Sequence, residues 1–293
     1  MSEPSSDQPE PVCPRHPDRV SYVRCQRCGR PTCPECQRPA AVGIQCVDCV
    51  REGQKGIRMP RTQFGARVTS GGRPMVTQVI IAICVVVWLL QKASPAFSAA
   101  LDFWPPATKP EPWRFLTSAF EHDTSFPLHL LFNMYALWVV GQYLEPLLGW
   151  LRFLILYLLS AIGGSVGLLL LATPTTSSEQ VSSWNTHALG ASGAVFGMFL
   201  ALLLLNRQLG RSTAGIGLII AINFGYGFIA SNVAWQAHLG GAITGAVCAG
   251  IMIATAQAAR RRWQMPALAL LAVLLVVLAV LKIAPLGPEY FIA

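Results

Sequence analysis

Charge is what this chain has least of. Of its 293 residues only 12% are Asp, Glu, Lys or Arg, and just 14 are acidic. Soluble domains carry about 25% charged residues. A chain that is 53% hydrophobic with mean hydropathy +0.47 is therefore of membrane class. The long apolar runs are nearly free of acids and show no internal repeat. That argues against a transporter, which would line the membrane midplane with ionisable groups and carry repeated halves. His-Glu-x-x-His is also absent, since His129 is followed by Leu130, Leu131 and Phe132, which removes the zinc metalloproteases. No apolar core follows Met1, because residues 1–10 are polar and proline-rich. No signal peptide is expected there, and the amino terminus is expected to stay in the cytoplasm.

Cysteine is scarce in the apolar part and dense at the start. Seven of the nine cysteines lie between Cys13 and Cys49, as Cys13-x2-His16, Cys25-x2-Cys28, Cys33-x2-Cys36 and Cys46-x2-Cys49. A two-residue spacing lets one tight turn aim both side chains at a single ion. Eight such ligands suffice for two tetrahedral zinc sites. A disulfide framework is the competing reading, but seven is odd and the head faces a reducing cytosol. A redox dithiol would account for one pair and not for four pairs with a histidine. The segment has too few apolar residues to fold alone, so its metal-binding energy would be folding energy. Order and spacing resemble the B-box and related cross-brace zinc fingers over roughly Cys13 to Cys49. The resemblance implies Cys13, His16, Cys33 and Cys36 on one zinc, and Cys25, Cys28, Cys46 and Cys49 on the other. A sequential pairing is the alternative. Cross-brace fingers usually bind proteins, which implies a cytoplasmic protein partner or a regulatory role. Arg24, Arg27 and Arg30 read as a solvated face rather than as a nucleic-acid contact.

The net charge of +8 is concentrated where it sets membrane orientation. Arg51, Lys55, Arg58, Arg61, Arg67 and Arg73 precede the first apolar run, in an aperiodic, glycine-containing stretch read as a linker. The expected organisation is a zinc-binding domain at 1–50, a basic linker at 51–73 and a membrane domain at 74–293. Apolar runs of helical length predict seven spans. They run at about Met75–Leu90, Pro127–Leu148, Leu151–Ala172, from Gly190 to just before Asn206, Ala214–Phe228, Ala234–Ala256 and Ala267–Ile283. Arg152 falls in the turn after the second span, Arg207 and Arg211 follow the fourth, and Arg260, Arg261 and Arg262 follow the sixth. The loops after the third and fifth spans contain neither lysine nor arginine. Positive residues thus mark one face as cytoplasmic, with the carboxyl terminus outside.

That topology gathers polar residues at the outer face. Ser192 stands in Gly190-Ala191-Ser192-Gly193-Ala194-Val195-Phe196-Gly197, at the outer start of span four. His238, in Ala237-His238-Leu239-Gly240-Gly241, opens span six. His129 and Asn133 are four residues apart near the outer start of span two, and so share a helix face. Each has an ordinary structural explanation. Gly193 with Gly197, and Gly241 with Gly245, form packing seams, and the histidines can serve as interfacial or interhelical bonding groups. Taken together, a serine, a base to accept its proton and donors for an oxyanion describe nucleophilic catalysis.

Trp113-Arg114, His129-x3-Asn133, Gly190-Ala191-Ser192-Gly193 and Ala237-His238-x-Gly240-Gly241 occur in the order found in rhomboid intramembrane serine proteases. The resemblance covers roughly Met75 to Ile283. It implies an all-α polytopic membrane protein, with a seven-helix rhomboid-like bundle preceded by a small zinc-stabilised cytoplasmic domain. It also implies Ser192 as nucleophile and His238 as general base, a dyad without an acid. His129, Asn133 and the Ser192 backbone amide would form the oxyanion hole. Catalysis would need no cofactor. The substrates would be single-span membrane proteins cut within the bilayer near the outer face of the cell membrane. The family often sets a tyrosine from span five against the histidine, for which Tyr226 is the best match, with Phe224 near it. His122 and His187 read as loop residues, and Glu145 as a structural tie at a helix end. The alternative function is a catalytically inactive rhomboid-like adaptor that binds transmembrane clients, although such a protein is expected to have lost Ser192 or His238.

Overall fold

The computed structural model describes residues 9–55, 61–66, 73–176, 182–229 and 233–292. The chain divides into two compact units, Met1–Pro60 and Arg61–Ala293.

The first unit has almost no apolar core of the usual kind. Strands β1 (Val12–Cys13) and β2 (His16–Val20) form one antiparallel pair, and β3 (Gln37–Pro39) and β4 (Ile44–Cys46) form another. Helix α1 (Val47–Lys55) follows β4 and extends into the stretch expected to be linker. The unit's buried hydrophobic residues, among those described, are all cysteines: Cys13, Cys33 and Cys36 in one cluster, and Cys25, Cys46 and Cys49 in the other. Two hairpins and a helix bury little surface at this size, which leaves their folding marginal without a cross-link. The expectation of an all-α chain therefore applies to the second unit, and the first is mixed.

The second unit is helical: α2 (Met75–Ala93), α3 (Pro95–Ala99), α4 (Arg114–Thr117), α5 (Pro127–Leu148), α6 (Trp150–Leu171), α7 (Ser192–Gln208), α8 (Ala214–Ile229), α9 (Trp235–Ala254) and α10 (Gln264–Ile283). Helices lie at all seven expected spans. Four of them (α2, α6, α9 and the 261–283 helix containing α10) are long and apolar enough to cross a membrane, whereas α7 and the apolar part of α8 are shorter.

Helices α6, α7 and α9 form the centre, and small residues are the reason they approach so closely. A Cβ placed on Gly245 would run into the backbone of Gly197, and one on Gly241 into the backbone of Gly193. On the other side of α9, Gly240 lies against Gly163 and Gly167 of α6, and Thr244 covers Gly163. Between helices of lipid-like polarity, this backbone-to-backbone packing replaces the hydrophobic driving force. Two polar ties close the periphery. Glu145 of α5 accepts from the Val76 and Thr77 amides at 2.9 and 2.8 Å and from Thr77 Oγ1 at 2.8 Å, capping α2. Lys282 of α10 donates to the Leu170 and Ala172 carbonyls at the end of α6. Between α5 and α6 the chain reverses at Gly149, whose φ of 82° suits glycine alone among common residues.

Candidate active site

Helix α7 begins at Ser192, directly after Gly190 and Ala191. Gly190 has φ 116°, outside the range of residues with a Cβ. It must also be glycine for space, because a Cβ there would stand 2.8 Å from His129 Cε1 and 2.9 Å from its Nε2. The imidazole of His129 therefore lies against the turn that presents Ser192. Helix α9 supplies the second group. His238 Nε2 and Ser192 Oγ are 2.8 Å apart, across the Gly193–Gly241 and Gly197–Gly245 contacts. If Nε2 accepts the serine proton, Nδ1 carries the ring hydrogen. Nδ1 is buried with no hydrogen-bond partner, so among the described residues no carboxylate orients this histidine.

A ring does so instead. Phe196 stacks on His238 with centroids 4.3 Å apart and planes at 20°. Phe224 of α8 meets Phe196 edge-on at 5.8 Å. Among the described residues the ring against the histidine comes from α7 itself, one turn beyond Ser192. The side chain of Tyr226 lies outside the described residues. Residues i and i+4 share a helix face, so the sequence did carry the signal for Phe196.

Asn133 donates its side-chain amide to the His129 carbonyl of its own helix at 2.9 Å, and its second N–H has no partner among the described residues. His122 is more than a loop residue. It is fully buried, and its Nε2 accepts the backbone N–H of Ala191 at 3.4 Å, next to Ser192. Burial pushes the His122 imidazole down to about 3, so it is neutral and can accept. No local pattern around His122 marks this role. The other loop histidine, His187, pairs with Asp102 and stacks on Trp104.

The loops on the Ser192 side form one braced layer behind the turn. Arg114 donates to the Asp102 carboxylate at 2.6 Å, to the Asp102 carbonyl at 2.8 Å and to the Ala99 carbonyl at 2.7 Å, and also pairs with Glu111. That fixes Phe103, which exchanges two backbone hydrogen bonds of 2.8 Å with Ala188. Two residues later the Gly190 amide donates to the Ser118 carbonyl at 2.9 Å.

Residues 109–255, half of the chain, match the rhomboid domain. A putative rhomboid protease of Bacillus subtilis, YdcA, is 31% identical over 188 residues that span 61% of this chain and 86% of that protein. The chain belongs to the rhomboid family. The rhomboid protease GluP of the same organism is 34% identical over 194 residues, 61% of this chain and 35% of GluP. The rhomboid protease GlpG of Klebsiella pneumoniae is 29% identical over 110 residues, 36% of this chain and 39% of GlpG. The chain thus spans only about a third of the length of GluP. Family membership and the long apolar helices make this rhomboid a multi-pass membrane protein.

The rhomboid domain match does not reach the cysteine-rich unit. There the ligand atoms of Cys13, His16, Cys33 and Cys36 lie within 4.8 Å of one another, as do those of Cys25, Cys28, Cys46 and Cys49. The grouping is interleaved and not sequential. All nine cysteines are free thiols. A tetrahedral zinc with Zn–S bonds of about 2.3 Å has S···S edges of about 3.8 Å. Cys28 and Cys46 sulfurs are 3.8 Å apart, and His16 Nδ1 stands 3.3 and 3.4 Å from Cys33 and Cys36. Burial pushes the thiols of Cys13 and Cys25 up, but amide hydrogen bonds outweigh it and lower both to about 6. Burial, with the neighbouring thiols, pushes Cys36 up to about 11 and Cys49 to about 12. Crowded thiols that ionise only in part are the condition a bound cation relieves. Both clusters can hold a metal ion.

Proposed function

We propose that this rhomboid is an intramembrane serine endopeptidase. It would cross the bilayer seven times, with its amino terminus in the cytoplasm and its carboxyl terminus outside, and cleave single-span membrane proteins near the outer face. The observation that supports this most directly is the 2.8 Å contact between Ser192 Oγ and His238 Nε2.

In the proposed reaction His238 takes the Ser192 proton as Oγ attacks the scissile carbonyl carbon. The oxyanion so formed is held by the Ser192 amide, His129 and the second N–H of Asn133. Such donors contribute roughly 3–4 kcal/mol each in soluble serine proteases. Collapse of the tetrahedral species breaks the C–N bond, and His238 returns the proton to the departing amine. Water then repeats the sequence on the acyl-serine ester, with His238 again as base. Phe196 holds the imidazole plane, a duty an acid performs in soluble triads.

Residues 1–50 would form a zinc domain joined by 51–73 to the protease at 74–293. Cys13, His16, Cys33 and Cys36 would hold one zinc, and Cys25, Cys28, Cys46 and Cys49 the other. The ions cross-link the chain and so supply folding energy. The domain would bind a cytoplasmic protein partner and take no part in peptide hydrolysis.

The deciding experiment is labelling of the purified protein with a fluorophosphonate or isocoumarin probe, alongside cleavage of a membrane substrate with an unstable helix. Labelling and cleavage are expected for the wild type and neither for Ser192→Ala. A folded preparation without Ser192-dependent labelling would leave the inactive adaptor as the reading.

A further inference from the structure

At the end of α7 opposite Ser192, about 25 Å away at 1.5 Å rise over its 17 residues, the bundle contains an open cavity of about 1040 Å³. The ends of α2, α5 and α6 form its walls, with Arg61, Arg73, Arg152 and Arg211 in the lining. Among the described residues the only acidic one in the lining is Glu145, and both of its oxygens are occupied in capping α2. Arg261 adds a fifth guanidinium behind the wall. It and Arg152 both reach Gly65, and its Nε is buried without a partner. Among the described residues none of these five arginines has a carboxylate partner. Arg152 and Arg261 are half-buried and Arg61, Arg73 and Arg211 are exposed around them, and like charges so gathered repel unless an anion joins them.

We infer that this cavity binds the phosphodiester headgroup of an anionic phospholipid. Guanidinium forks match phosphate oxygens in pairs, and basic pockets between membrane helices on the cytoplasmic side suit such headgroups. The volume is at the top of the range of about 300–1,000 Å³ for sites of drug-sized ligands, far more than one inorganic phosphate needs. The rim favours a ligand with acyl chains. Met75, Trp150 and Leu151 are 58%, 63% and 40% exposed beside the opening, an apolar and aromatic border of the kind found where a bilayer meets water. The site is distinct from the Ser192 centre. It rests on the proposed placing of this end at the cytoplasmic face.

The test is direct binding, read by native mass spectrometry or thermal shift on the full chain in neutral detergent. Dioctanoyl phosphatidylglycerol, dioctanoyl phosphatidylcholine and inorganic phosphate are titrated in parallel. Saturable phosphatidylglycerol binding is expected, roughly tenfold or more tighter than either of the others. Arg73→Gln combined with Arg211→Gln is expected to weaken it by roughly tenfold or more, at about one kcal/mol (fivefold) per arginine. Arg73 is exposed and makes no hydrogen bond among the described residues. Arg73→Gln alone, with a loss on the order of fivefold, therefore carries the test if the double variant does not fold. Phosphatidylcholine binding as tightly, or indifference to these substitutions, overturns the inference. Equal binding of phosphate reassigns the cavity to a free anion and overturns it as well. Ser192→Ala is expected to bind unchanged, so failure here is separable from failure of the protease reading.

Discussion

At the scale of single residues, the site is held by contacts that carry no charge. Phe196 stacks on His238, whose inner nitrogen has no partner. Phe196→Ala is expected to lower kcat about tenfold with little change in KM, because a misplaced base costs rate rather than binding. Phe196→Tyr, which keeps the ring, is expected to restore it, and steady-state kinetics on a membrane substrate check both. Glu121 is a second such residue, set in the loop before α5. Its Oε1 accepts from Gln91 at 2.8 Å and Ser98 at 2.7 Å, while Oε2 is buried without a partner among the described residues. Burial pushes its carboxyl from the ordinary 4.5 up to about 7. The folded protein therefore keeps a proton that the unfolded chain has lost across that window. The associated stability is complete below pH 4.5 and is lost as pH rises through about 7. Glu121→Gln, permanently neutral, is expected to remove this fall. Thermal midpoints of the two proteins compared at about pH 5 and pH 8 read the difference, and parallel curves would sink the assignment.

At the scale of elements, packing and chemistry use the same glycines. The Ser192–His238 distance depends on how closely α7 and α9 approach, which depends on Gly193, Gly197, Gly241 and Gly245 having no side chains. Gly245→Val would drive its new carbons into the Gly197 backbone, at an overpacking cost of about 1–3 kcal/mol or more. It is expected to abolish probe labelling as well as to lower thermal stability. Gly250 lies further along α9, and a Cβ there would meet nothing within 4 Å, so Gly250→Val is expected to be silent in both assays. Equal effects of the two substitutions would mean that helix propensity, and not the seam, is responsible.

At the scale of the whole molecule, the two units are held together in different ways, the second around a large apolar core and the first without one. The membrane unit buries helices against one another through small residues, and the amino-terminal unit buries thiols. Metal analysis is expected to find about two zinc ions per chain, one for each cluster. Chelation is expected to melt the first unit and release both ions. Every described contact to Ser192 and His238 comes from residues 61–293, so probe labelling is expected to survive. A first unit that keeps its fold without metal would remove the zinc assignment.

Much of this was readable along the chain because the interactions concerned are local. Hydropathy over helical lengths marks the apolar segments, and two-residue spacings make knuckles whatever follows them. Glu145 was legible as a tie at a helix end, although its partner, the start of α2, was not. What lies far apart in sequence was decided by folding. Four knuckles of equal spacing pair in more than one way, and only the hairpins of the first unit interleave them. Ser192 and His238 are 46 residues apart, and their 2.8 Å contact follows from glycine-to-glycine packing. His122 enters the site through a loop of no regular period. Composition and spacing thus determined a multi-pass membrane chain with a ligand-rich head and set out the residues of its candidate site. Tertiary structure alone decided which nitrogen faces which oxygen and that a phenyl ring stacks on His238, because those distances are set where separate elements meet.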